Sequence, residues 1–196
     1  MVSKTEIVNK AYAKIGADSV ANIETDNTKI SRLANRIYDT VRDTELAKHY
    51  WKFAKTRTRL APLVGQDEFE EWAYRYQLPS DFIQVYSIEE ALYRSDVPDY
   101  EIEGQTILTD IGDTLDLKYI KRVTDTAVYH PLFIETLSIA LALQFVESIT
   151  ESNTKKEALM VEYRDILRLA KRMDALQEPP KNPYNGTWLE SRYGGD

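Results

Sequence analysis

The chain has 196 residues, 43% of them hydrophobic and 29% charged, with 32 acidic against 25 basic side chains and a formal net charge of -7. That length supports one domain with a real core, or a helical body carrying a smaller β lobe. The charge argues against a body that grips nucleic acid by neutralising phosphates. The absence of cysteine excludes disulfides, thiolate catalysis and cysteine-ligated zinc or iron–sulfur sites.

Ser3 followed by Glu6 forms a capping-box pattern, and Ile7, Val8, Ala11, Tyr12 and Ile15 recur at helical spacing before Gly16 supplies a stop. The amino end lacks the continuous apolar stretch and small-residue cleavage site of a secretory signal, so the protein is expected to stay where it is made. A polar loop then leads to a second, longer helix. Asp26 or Asn27 can cap it, and its apolar face is Ile30, Leu33, Ala34, Ile37, Val41 and Leu46. Tyr50, Trp51 and Phe53 follow, placed to close one end of a helical core.

From Thr56 the helical period is lost. Arg57 to Leu60 reads as extended, and Pro62 and Gly65 open an acidic loop through Glu71. Phe82–Ile88, Tyr100–Ile102, Thr106–Leu108 and Leu115–Ile120 are short β-favouring runs, which predict a small antiparallel meander. Glu103-Gly104 suits a tight hairpin, because glycine reaches positive φ without a Cβ clash. Pro131 fits the first turn of a third helix with a broad apolar face from Leu132 to Phe145. Its apolar run, Ile134 to Val146, is broken by Glu135, Ser138 and Gln144, so no membrane span is expected. Thr154 to Glu157 makes another capping box before a fourth helix, which Pro179-Pro180 prevents from continuing.

The expected fold is therefore mainly α with a small β insertion, an α+β class. A four-helix body spans residues 1–177, a β lobe lies at about 56–122 between helices 2 and 3, and residues 178–196 form an extended C-terminal arm.

The chemistry-bearing motifs are sparse. His49 and His130 stand apart, without the spacing of a metal site, and structural roles are expected for both. Asp110, Asp113 and Asp116 lack the ligand pattern of a calcium loop and read as solvated acids. No nucleophile elbow or phosphate-binding glycine loop occurs, so neither catalytic residues nor a cofactor or metal is expected. Two surfaces invite contact instead. Arg164, Arg168 and Arg172 fall four residues apart on one stripe of the fourth helix, with Lys171 at its edge. Like charges in a row destabilise an isolated helix unless something answers them. Tyr184, Trp188, Leu189 and Tyr193 are spaced aromatic and apolar residues of the kind that anchor interfaces.

In order, several stretches resemble one family. These are the two opening helices, His49-Tyr-Trp-Lys-Phe-Ala54 with Arg57 and Leu60, the Tyr76–Asp81 turn, Leu115-Asp-Leu-Lys-Tyr-Ile120, and the helix start at Tyr129–Phe133. The chain is similar along nearly its whole length to the head-to-tail adaptors of short-tailed bacteriophages, the tail tubular protein A family. The resemblance implies a non-enzymatic virion protein, made in the host cytoplasm, that forms a ring of twelve copies at the head–tail junction. Its partners would be the portal protein, the tail nozzle protein and further copies of itself, and the free protein could be a monomer. A net negative charge suits a channel through which DNA passes without sticking. The arm residues and the arginine stripe would bind portal or subunit. Two alternatives are a head-completion or stopper protein of a long-tailed phage, and a tail-associated hydrolase using a carboxylate pair.

Overall fold

The computed structural model describes residues 2–64, 71–88, 99–112, 114–149 and 153–177. Four helices and six strands follow in the order α1 (Lys4–Ile15), α2 (Lys29–Ala47), β1 (Lys55–Leu60), β2 (Tyr74–Gln77), β3 (Phe82–Ile88), β4 (Glu101–Glu103), β5 (Thr106–Thr109), β6 (Leu115–Lys121), α3 (Pro131–Ile149) and α4 (Asn153–Ala175). This is the α+β class expected from the sequence.

Helix α1 begins as its motif requires. Glu6 N–H donates to Ser3 Oγ at 3.1 Å, and Ser3 N–H donates to Glu6 Oε2 at 2.6 Å, so two otherwise orphaned donors are satisfied together. Gly16 ends the helix at φ 77°, a left-handed conformation that costs a residue without Cβ nothing. The cap of α2 is Thr28, not Asp26 or Asn27. Thr28 Oγ1 accepts from Ser31 N–H, and Asp26 buttresses the turn by accepting from both hydroxyls.

Helix α3 is the hub. It is apolar on nearly every side, with Phe133, Leu137, Leu141 and Phe145 fully buried, as a helix packed by others on several faces must be. Its buried hydroxyls are satisfied within the helix: Thr136 donates to Leu132 O and Ser138 to Ile134 O, both at 2.8 Å. Aromatic residues from two of the sequence motifs converge on its first turn. Phe133 touches Trp51 and Phe53 at ring-centroid distances of 5.1 and 4.9 Å, and Tyr129 lies 5.0 Å from Phe133. The Tyr76–Asp81 turn is tied to β6 within the β lobe, Asp81 accepting from Tyr119 Oη at 2.9 Å. Trp51 and Phe53 fasten the junction between α2 and β1 to α3.

The strands correct the expected meander. They form two three-stranded antiparallel sheets, ordered β1-β6-β3 and β2-β5-β4. Strand β1 pairs with β6, Lys55 opposite Ile120 and Leu60 opposite Leu115. Tyr74–Gln77 is a strand where the sequence suggested only the approach to a turn. The hairpin at Glu103-Gly104 does form, with Gly104 at φ 57° between β4 and β5. Strand β6 joins two cores: Ile120 enters the helical core, while Leu115, Leu117 and Tyr119 enter a second one with Tyr76, Val85 and Ile107. Thr154 is another correction, because α4 already includes Asn153 and Thr154 lies inside it.

Candidate interaction surface on helix α4

Helix α4 packs on α3, and its two faces are built from different chemistry. Leu159 and Ala170 are buried, and Tyr163, Ile166 and Leu167 pack beside them. Two carboxylates fasten this inner face to the segment that leaves α2. Glu45 is only 1% exposed, and its oxygens accept from Tyr163 Oη at 2.8 Å and Lys48 Nζ at 2.7 Å. Burial, reinforced by the Glu45 charge, raises the Tyr163 pKa far above its ordinary value, so the phenol remains a donor.

Asp174 is the second clasp. It accepts Lys52 N–H at 3.0 Å and lies 3.1 Å from His49 Nε2. A carboxylate acceptor requires the ring tautomer that carries its proton on Nε2. Burial lowers the His49 pKa, partly offset by Asp174. His130 also has a structural partner, its Nδ1 accepting from Leu132 N–H at 3.2 Å at the start of α3. Asp116 pairs with Arg59 on the neighbouring strand at 2.6 Å, and Asp110 accepts from Ala73 N–H at 3.1 Å; Asp113 lies outside the described residues.

The outer face carries Arg164, Arg168 and Arg172 together, all exposed, as their spacing of four dictates. None of the three pairs with a described carboxylate, although Asp165 lies on the same face. Val161 shares that face and is 57% exposed, and Leu176 at its far end is 69% exposed. An arginine row interleaved with bare aliphatic side chains has the composition of an interface and not of a purely solvated face. The other predicted site, Tyr184, Trp188, Leu189 and Tyr193, lies outside the described residues.

Sequence reasoning missed two further features. Ile30, Leu33, Ile37 and Val41 of α2 are only half-buried, while Tyr38 and Arg42 of the same helix are buried. An open groove of about 350 Å³ runs over the Ile37 and Val41 part of that stripe, with Leu143 of α3 and Tyr163 of α4 among its other walls. The second feature is the edge strand β4, where Glu101, Ile102 and Glu103 are all exposed. The alternation of acid and apolar residues in Asp99-Tyr-Glu-Ile-Glu103 was its available signal.

Among the described residues, no cluster of His, Asp or Glu is placed to hold a metal ion, and no helix is long and apolar enough to cross a membrane. No protein-family model matches the chain, and no curated protein sequence matches it.

Proposed function

We propose that this chain is a structural adaptor of a phage virion, which forms a ring between the portal of the head and the tail nozzle and continues the DNA channel. The observation that carries this reading is the outer face of α4, where three unanswered arginines stand among exposed aliphatic residues on a helix firmly clasped from behind. Such a face binds protein, and its rigid backing means little ordering entropy is lost on contact. The resemblance of the ordered motifs to the tail adaptors is what suggests the kind of assembly. The aromatic packing of those motifs around Phe133 gives each subunit a stiff body.

In this role the protein works by binding and not by catalysis. Twelve copies, as the resemblance implies, form the ring; Arg164, Arg168 and Arg172 contact portal or subunit. Tyr184, Trp188, Leu189 and Tyr193 act as anchors of a C-terminal arm, and the net negative charge lets DNA slide past.

The test is the mass of the full chain alone and after mixing with a candidate portal ring, read by native mass spectrometry or light scattering. A stoichiometric ring on the portal is the expected result. Separate portal and adaptor masses at every mixing ratio would sink the proposal. Truncation after Gln177 should leave the helical signal intact and weaken the complex.

A further inference from the structure

The outer face of α4 and the edge of the second sheet carry opposite charge. On α4, Arg164, Arg168, Lys171 and Arg172 outnumber the carboxylates of Glu157 and Asp165, with Leu169 at 44% exposure beside them. On the β4 edge, Asp99, Glu101 and Glu103 outnumber Arg75, and Ile102, 43% exposed, lies on the opposite face of the strand from the two glutamates. Arg75 is turned towards Glu103, 3.3 Å away. The acids are held as one patch: Thr109 Oγ1 donates to Asp99 O at 2.9 Å, and the β4–β5 register fixes Glu101 and Glu103 on the same side of the strand.

We propose that the cationic outer face of α4 docks on the acidic β4 edge of a second copy of this chain, in a head-to-tail contact. Charge complementarity selects that occupant. Two β4 edges repel each other, because charged side chains on an edge strand oppose edge-to-edge pairing. Two α4 faces repel each other for the same reason of like charge. Only the crossed pairing answers both charges. The helix belongs to the helical core and the strand to the second sheet, so the two faces of one copy lie on different parts of the molecule. A contact between two different faces propagates from copy to copy, closing into a ring where the rotation permits. The inference rests on the ring reading and names the surfaces by which its subunits meet.

The native chain has no cysteine, which gives a clean cross-linking test. One full-length chain carries Leu169→Cys and another carries Ile102→Cys; they are mixed in equal amounts at low salt and oxidised. The mixed disulfide should exceed either self-disulfide by about tenfold, because only the crossed pairing avoids facing like charges. The excess should vanish when Glu101→Arg is added to the Ile102→Cys chain, and return when Arg168→Glu and Arg172→Glu are added to the Leu169→Cys chain. A statistical mixture of disulfides, a preference for either self-disulfide, or an excess indifferent to the charge reversals would overturn the proposal. Portal binding is measured separately. Mixed disulfides without portal binding would retain the contact and remove the adaptor role, while portal binding with statistical disulfides would do the reverse.

Discussion

The inner and outer faces of α4 occupy the same backbone and follow opposite rules. On the inner face every polar group is answered: Glu45 holds Tyr163 and Lys48, and Asp174 holds His49 and the Lys52 amide. On the outer face three guanidinium groups lack described carboxylate partners and aliphatic side chains lie bare. A buried polar group left unpaired costs more than a hydrogen bond returns, so the inner pairs are conditions of folding. Exposed arginines remain hydrated, so the outer row is free to be shaped by contact with another molecule. The difference separates what holds the helix in place from what the helix presents.

Substitutions should break the comparison in a fixed order. Leu159→Ala opens a cavity on the inner face and should cost about 2–4 kcal/mol in urea unfolding. Asp174→Ala removes the acceptor for two donors and should cost about 1.5–3 kcal/mol, with amide exchange accelerated in the last turns of α4. A loss below about 0.5 kcal/mol at either position would place the clasp elsewhere, since that is the range of an ordinary surface change. Tyr163→Phe deletes one donor to Glu45 while Lys48 remains, and should cost about 1 kcal/mol.

The His49 clasp adds a pH dependence. Burial lowers the pKa of His49 from its ordinary value of 6.5, so the fold prefers the neutral ring. Its contribution is complete above the unfolded pKa and is lost as pH falls through that value towards the lower folded one. Urea midpoints measured between about pH 7.5 and about pH 5 should therefore fall less steeply for His49→Gln than for the native chain, other groups being common to both. Equal slopes would show that His49 does not contribute.

Much of this architecture was legible in the sequence because it is local. The Ser3–Glu6 box, the Gly16 stop, the Pro131 start and the Glu103-Gly104 hairpin each depend on a few neighbouring residues. The two sheets were not legible, because β1 pairs with β6 across some sixty residues and nothing local distinguishes that partner from a meander neighbour. The burial of Glu45 and Asp174 was hidden for a related reason: an acid on a helix reads as solvated until a distant donor appears. Of the candidate site, the arginine row was visible from spacing alone. Its counterpart on β4 was signalled only by the acid–apolar alternation from Asp99 to Glu103, which marks a strand but not that the strand lies at a sheet edge.

The smallest stability effect belongs to the outer row and is the most informative. Arg168→Glu turns two like-charge pairs, with Arg164 and Arg172, into opposite-charge pairs, and should raise stability by about 0.5 kcal/mol. Whether this face binds instead of stabilising is decided by the sedimentation of Arg168→Glu with a candidate portal ring that captures the native chain. The expected result is a variant at least as stable as the native chain that no longer co-sediments. Native-level capture would contradict it.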